Sequence, residues 1–471
     1  MNMIPLPDIV LLLLGFAVLA ADLFASNKAV SYHLAWVGLI VVSLLIWIQP
    51  HDQEMVYLGT YRVAGFALLF KQFFTLSALF TLLLARSYFT GQGDQKGPMG
   101  NSGEFCTIIL MCTFGMFTVV SASDMLTVFI GMELATVPLY VLSGFRKGDD
   151  LGAEAATKYI VMGTLSTCIG LFGYSFLYGR AGGMTFEALA NYTAANPGDP
   201  LLHLGIVLIL VATGFKLTLV PFHMWAPDVY EGAPTPVTSF LSVSSKGTAV
   251  GFLLLLFFGP LAPATPQLQN MLLLLAGVTM VVGNLGAMRQ NNLRRFMAYS
   301  SIAQAGYIVM ALAGESELAQ QAIFYYLPVY AVANFAVFFI IAIVGRERGE
   351  NFAALRGLSK QHPGLAAIMM LAMFSLAGIP PLAGFTGKFM LFAAAAKQGL
   401  YGMVLFAALN STVSLYYYLL IIKEAYIVQP EAELNPLGIS LMQKSGLLPL
   451  TLAMLLLGVV PMFSTAIMEI L

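Results

Sequence analysis

Five lysines stand inside long apolar runs of a 471-residue chain: Lys71, Lys158, Lys216, Lys246 and Lys388. Glu133 stands inside another such run, in Phe129-Ile-Gly-Met-Glu-Leu-Ala-Thr136. A charge at the middle of a membrane helix costs roughly 2.5–3.5 kcal/mol even on the lenient insertion scale, so such groups are normally paired or line a hydrated path. Lysine suits proton transfer, because burial draws an ammonium towards neutrality and a nearby carboxylate opposes that. Arginine would stay charged, and the five basic residues that remain inside the segments once the loop residues are set aside are all lysines. The pattern predicts a proton relay. Lys216 is the natural partner of Glu133. Lys246 follows Ser239 and Ser242 at i−7 and i−4, which on one α-helix share a face that can hold water. Lys388 follows a Pro-Pro interruption, in Phe385-Thr-Gly-Lys-Phe.

Plainer readings compete at several positions. Lys158 has Glu154 four residues before it, the spacing of an ordinary helix ion pair. Lys71 lies near one end of its run, where snorkelling to the interface accounts for it. His223, just past an interruption, either carries protons near neutral pH or caps a broken helix, and the sequence favours neither. Tyr416-Tyr-Tyr418 and Trp225 read as packing and interface aromatics.

These residues need membrane helices to hold them. The chain is 59% hydrophobic and 10% charged, against about 45–50% and 25% in soluble domains. Apolar segments fall near 8–25, 31–48, 65–85, 105–121, 124–145, 152–179, 203–220, 235–257, 269–287, 293–313, 320–344, 364–397, 401–422 and 446–467. Each approaches the roughly 20 residues needed to span a bilayer. The prediction is an all-α polytopic membrane protein of fourteen transmembrane helices, residues 1–471 forming a single membrane domain. The first apolar stretch lacks a basic leader and reads as a retained helix.

Other classes fit poorly. A net charge of −1 gives no basic surface for nucleic acid. Cys106, Cys112 and Cys168 are too few, in settings too apolar, for a disulfide framework or an iron–sulfur cluster. The five histidines show no i, i+4 metal-binding pair. Gly91-Gln-Gly-Asp-Gln-Lys-Gly97 has neither the spacing nor the preceding strand of a nucleotide loop.

Two segments are interrupted, the seventh at Leu219-Val-Pro-Phe-His223 and the twelfth at Ala377-Gly-Ile-Pro-Pro-Leu-Ala-Gly384. A broken membrane helix persists only where protein or a wet cavity satisfies the freed backbone. The breaks lie five segments apart, an odd number, so a repeat would run the opposite way through the membrane. This predicts two inverted five-helix repeats, segments 4–8 (105–257) and 9–13 (269–422), with segments 1–3 (1–104) before them and segment 14 after. Counting Lys and Arg in the loops gives fourteen on one side and three on the other. The positive-inside rule then puts both termini on the outer side.

The block Gly214-Phe-Lys-Leu-Thr-Leu-Val-Pro-Phe-His-Met-Trp-Ala-Pro-Asp-Val-Tyr-Glu-Gly-Ala-Pro-Thr-Pro-Val237 resembles the signature of the antiporter-like, proton-translocating subunits of respiratory complex I. Tyr299-Ser-Ser-Ile-Ala-Gln-Ala-Gly306 and Ser375-Leu-Ala-Gly-Ile-Pro-Pro-Leu-Ala-Gly-Phe385 are similar to two further blocks of that family. Within it the chain looks most like the N-type subunit of bacterial NADH-quinone oxidoreductase: it ends after the fourteenth segment, and position 388 is Lys where the M-type carries Glu. The resemblance implies that Glu133 and Lys216 form the functional ion pair, Lys246 the central relay and Lys388 the lysine of a second half-channel. Gln304 departs from the His many relatives carry, and a glutamine cannot titrate. The resemblance further implies a translocase subunit in a bacterial inner membrane with no cofactor of its own. Partner subunits would hold flavin, iron–sulfur clusters and quinone, and K-, M-, J- and L-type subunits would be its neighbours in a hetero-oligomer. Two alternatives stay open, an autonomous cation/proton antiporter and a non-catalytic membrane scaffold.

Overall fold

A computed structural model describes residues 5–25, 29–50, 54–90, 102–314, 317–430 and 437–459. Several expectations fall outside the described residues: both chain ends, Lys28, the loop 91–97 with Lys96, and residues 460–467 of the fourteenth segment. The described residues group into two compact units. One holds those of 1–216 and 232–264, the other those of 217–231 and 265–469.

In the first unit the helices are α1 (Leu6–Phe24), α2 (Ala29–Ile48), α3 (Gly65–Thr90), α4 (Ser102–Val120), α5 (Met125–Ser143), α6 (Asp150–Ala181), α7 (Phe186–Ala195) and α8 (Pro200–Leu217). A short antiparallel hairpin, β1 (Met55–Tyr57) with β2 (Tyr61–Val63), precedes α3. It qualifies the all-helical expectation, and α7 adds a helix outside the apolar segments. After α9 (Trp225–Gly232) come α10 (Thr235–Phe240), a π-helical stretch Leu241–Ser245 and α11 (Lys246–Phe257), which together make the eighth segment.

The second unit contains α12 (Thr265–Ala287), α13 (Leu293–Leu312), α14 (Glu317–Arg348), α15 (Leu358–Gln361), α16 (Pro363–Ala377), α17 (Ala383–Lys397), α18 (Tyr401–Tyr426) and α19 (Leu441–Val459). Among the described residues, eleven helices are long and apolar enough to cross a membrane. The tenth, twelfth and fourteenth predicted segments are not among them. α13 opens with Arg294 and Arg295, the twelfth segment is split into two 15-residue helices, and α19 stops at the limit of the described residues.

The two units share a local construction. α4 and α5 approach closely: a Cβ on Gly115 would lie 2.5 Å from the Ala135 nitrogen, and one on Gly131 would lie 2.9 Å from the Val119 nitrogen. α12 and α13 do the same, with Gly283 2.5 Å from the Ala303 nitrogen and Gly306 2.9 Å from the Ala276 oxygen. Small residues that let backbones meet are the usual basis of helix association in lipid. Asp124 caps α5 by accepting from the Leu126 and Thr127 amides, and Asn292 caps α13 by accepting from those of Arg294 and Arg295. Each cap is bridged to the loop beyond the next long helix, Asp124 to Thr185 and Asn292 to Asn351. The flanking bonds correspond: Met125 N to Met184 O with Phe186 N to Ser123 O, and Leu293 N to Glu350 O with Phe352 N to Asn291 O. The intervening helices, α6 and α14, are both 32 residues long.

Candidate proton-transfer site

Glu133 stands near the middle of α5. Its Oε1 accepts from the Thr167 hydroxyl of α6 at 3.1 Å and lies 3.8 Å from the Lys216 ammonium of α8. Lys216 itself donates to the Thr136 hydroxyl, one turn along α5 from Glu133, at 3.0 Å. Lys216 is buried, while a quarter of the Glu133 side chain is exposed. A cavity of about 30 Å³, lined by Glu133, Thr167, Thr213, Lys216 and Phe252, adjoins the pair. That is enough space for an ordered water. The structure brings together the two residues that the sequence pairs, Glu133 on the Asp124-capped α5 and Lys216 on α8.

One residue beyond Lys216, at Leu217, α8 ends. Thr218 takes φ 63°, and residues 218–224 are non-helical before α9 begins. The Val220–Pro221 peptide is cis. Within the second unit, the Val220 amide donates to the Thr279 hydroxyl at 3.1 Å, so part of the freed backbone is satisfied by a neighbouring helix. His223 lies inside this break, and its carbonyl accepts from the Ala226 amide at the start of α9. This backbone contact does not involve the imidazole, whose Nδ1 is buried, and it does not separate the two readings of His223. Asp228 and Glu231 of α9 both hold the Arg295 guanidinium, at 2.7 and 2.8 Å.

Lys246 is buried and follows the π-helical stretch directly. A π turn bonds i to i+5, so Ser239 and Ser242 do not keep the α-helical register with Lys246 that their spacing predicts. Ser239 spends its hydroxyl on the Pro236 carbonyl at 2.7 Å. Its near neighbours in the chain, Ser242, Ser244, Ser245 and Thr248, are all buried.

The second break has the same opening pattern. α16 ends at Ala377, Gly378 takes φ 86°, Pro380–Pro381 is cis, and α17 starts at Ala383. Lys388, on α17, donates to the Ala377 carbonyl and to the Ser411 hydroxyl, both at 3.1 Å. Its ammonium also sits 4.7 Å from the centroid of the Tyr307 ring. The Ala377 carbonyl is one of the orphan acceptors at a helix C-terminus, where the helix dipole favours a cation. A cavity of about 260 Å³ opens beside it, lined by Ala377, Lys388, Phe389, Phe392, Ser411 and Thr412.

Other sequence readings need correction. Lys71 does not snorkel: it is fully buried, and its ammonium lies 2.8 Å from Asp8 of α1. The acid was hidden at the end of the first segment, where nothing in its spacing marks a partner 63 residues away. Tyr417 and Tyr418 are not interface aromatics. Both are fully buried and hydrogen-bonded, whereas Tyr416 is exposed. Tyr418 meets Ser300 at 2.6 Å and Gln304 at 3.1 Å. Tyr326 donates to the Gln304 side-chain oxygen at 2.5 Å, and Tyr417 donates to Asn284 at 2.9 Å. Gln304 thus sits in an uncharged network that satisfies both ends of its amide. Lys158 pairs with Glu154 at 2.7 Å on the partly exposed face of α6, apart from the Glu133 cluster. Trp225 is buried, as its packing role implies. Among the described residues no group of three His, Cys, Asp or Glu side chains is placed to hold a metal ion.

A family model described as NADH:quinone oxidoreductase/Mrp antiporter, TM, matches residues 122–414. NADH-quinone oxidoreductase subunit N of Rhodospirillum rubrum is 36% identical over 441 residues, 92% of this chain and 89% of that relative. The same subunit of Paramagnetospirillum magneticum is 37% identical over 457 residues, 94% and 92% of the two chains. A chain of respiratory complex I from Thermus thermophilus with bound aureothin matches with TM-score 0.82 and 32% identity, covering 97% of both chains. A chain of the Mrp complex from Dietzia sp. shares the fold, with TM-score 0.86 at 21% identity over 99% of this chain and 96% of that one.

The fold and these likenesses define an antiporter-like membrane subunit with many apolar helices. The chain belongs to the NADH-quinone oxidoreductase subunit N family, as the three sequence blocks imply.

Proposed function

We propose that the chain is the proton-translocating membrane-arm subunit of an NADH-quinone oxidoreductase in a bacterial inner membrane, both termini on the outer side. It moves protons through Glu133, Lys216, Lys246 and Lys388 while quinone reduction proceeds in partner subunits that carry flavin and iron–sulfur clusters. The observation that carries this reading is the Glu133–Lys216 pair. Its separation of 3.8 Å and its hydroxyl neighbours Thr136 and Thr167 suit an ion pair that opens and closes. Moving the carboxylate away removes the counterion that keeps the ammonium charged, and the lysine then gives up its proton. Lys158 and His223 are weaker members of the relay, Lys158 because its ion pair with Glu154 is an ordinary helix pair.

Fourteen transmembrane helices in two inverted repeats belong to the same proposal. The capped and bridged starts of α5 and α13, the 32-residue helices α6 and α14, and the two breaks opening on a positive φ all support it. As a hetero-oligomer subunit, the chain has complex I membrane subunits of K-, M-, J- and L-type as neighbours.

The autonomous antiporter is the second reading, favoured by the matching family model, whose description includes Mrp antiporters. Lys246→Arg tests the relay, and co-purification tests the setting. Arginine keeps the charge and stops the proton, so the complex is expected to assemble and its proton pumping per electron to fall clearly. Full pumping with Arg would show that position 246 needs only a positive charge. A lone chain active in cation/proton exchange would replace the complex I setting.

A further inference from the structure

The start of α5 is held by more than its cap. Residues 121–124 run between two other stretches of extended backbone. On one side Met184–Phe186 pair with Ser123–Met125. On the other, Arg62 N donates to Ser121 O at 2.6 Å and Ser123 N donates to Thr60 O at 2.8 Å, with Tyr61 bridged to Ala122. The first of these contacts has its counterpart at α13. The second has none among the described residues of the second unit. The β1–β2 hairpin is thus a support present at only one of two otherwise similar helix starts.

The hairpin is itself anchored in the α1–α3–α4 bundle. The Tyr61 hydroxyl donates to Asp8 Oδ1 at 2.5 Å, and Lys71 Nζ donates to Asp8 Oδ2 at 2.9 Å. The Lys71 ammonium lies 5.1 Å from the Tyr61 ring centroid and 5.6 Å from that of Phe117 on α4. Burial, reinforced by the Asp8 charge, holds the Tyr61 phenol well above its ordinary range, so it remains a hydrogen-bond donor. A buried pair of this kind adds little net stability against an apolar alternative, but it fixes geometry where it is kept. This pair takes no part in the relay described above.

We propose that Asp8, Lys71 and Tyr61 are positioning residues: they lock the hairpin against the 121–124 segment and thereby set the place of α5 and its Glu133 carboxylate. Glu133 lies nine residues beyond the Asp124 cap, about 13 Å along the helix. The Gly115 and Gly131 contacts fix α5 sideways against α4, which leaves its start as the point where the hairpin acts. The Glu133–Lys216 separation of 3.8 Å is close enough for small displacements to decide whether the pair is made. This inference rests on the reading of Glu133 as a relay carboxylate.

Asp8→Asn strands a buried ammonium and is expected to reduce assembly. Tyr61→Phe removes only the donor, so it is the decisive variant in the whole purified complex. Amide exchange over residues 121–127 should become roughly tenfold faster, since a hydrogen bond to a charged acceptor is lost. Pumping per electron should fall by about half while the assembled amount stays normal, and adding Tyr61→Phe to Glu133→Gln should cause no further loss. Unchanged exchange, or faster exchange with normal pumping, overturns the proposal. Normal pumping in Glu133→Gln alongside faster exchange in Tyr61→Phe would instead sink the relay reading and leave the anchoring of α5 standing.

Discussion

The two helix breaks open alike and hold their lysines differently. In each, the helix stops at a residue of positive φ, Thr218 or Gly378, with a proline three residues on. Lys216 stands two residues before its break and Lys388 ten residues after. Lys216 faces a side-chain carboxylate, Glu133, with a small cavity of about 30 Å³ beside it. Lys388 faces a backbone carbonyl at the end of α16, a serine hydroxyl, an aromatic ring and a far larger cavity. A carboxylate can swing away or take a proton. A helix-terminal carbonyl can do neither. On the proposed relay reading, the first site can be switched by its carboxylate, and the second holds its charge beside an open cavity.

The breaks also differ in tightness. Five residues, 378–382, separate α16 from α17, against seven, 218–224, between α8 and α9. A Cβ on Gly384 would lie 1.7 Å from the Ser375 carbonyl oxygen. Gly384→Ala is therefore expected to abolish the assembled subunit, read as loss of the chain from purified complex. Normal assembly would show that the tight break is not required.

Glu133→Gln comes next in size. It strips the switched lysine of its counterion, and breaking a buried pair costs roughly 3–5 kcal/mol. We expect pumping per electron to fall roughly tenfold or more while electron transfer and assembly fall less. Normal pumping would mean that the carboxylate is not what distinguishes the two sites. Ser411→Ala probes the other lysine. It removes one of two acceptors and should weaken the hold on the ammonium by about 1 kcal/mol, lowering pumping only a few-fold. A loss as deep as that of Glu133→Gln would make Lys388 the more sensitive site.

Much of this comparison was legible in the sequence, and the reasons for the rest are physical. Lysines in apolar runs and proline interruptions are local signals, so Lys216, Lys388 and both breaks could be read directly. The Glu133–Lys216 pairing followed from there being one clear acid for several buried cations. The Asp8–Lys71 pair did not, because α1 and α3 meet only through tertiary packing and each residue sits near a segment end. The tyrosines of α18 misled because their polar ends matter only once α12, α13 and α14 surround them. The π-helical stretch before Lys246 left no mark in a run that reads as continuous helix, so its effect on the serine register was hidden.

The smallest expected effect isolates the backbone of the two breaks from their charges. Position 378 is glycine and takes φ 86° without penalty, whereas Thr218 takes φ 63° as a β-branched residue. The left-handed conformation costs a non-glycine residue about 1–2 kcal/mol. Glycine at the same place restores roughly 0.5–1 kcal/mol of unfolded-state freedom. The Thr218 hydroxyl also bonds the Leu217 carbonyl at 2.5 Å, a contact that glycine forfeits. These terms nearly cancel, so Thr218→Gly should change the thermal stability of the complex by no more than about 1 kcal/mol. Its pumping should match the parent, because Lys216 keeps Glu133 and Thr136. A clear loss of pumping in Thr218→Gly, with stability unchanged, would show that the threonine holds the end of α8 and its lysine in place. The two breaks would then differ in how the chain is bent as well as in what faces the charge.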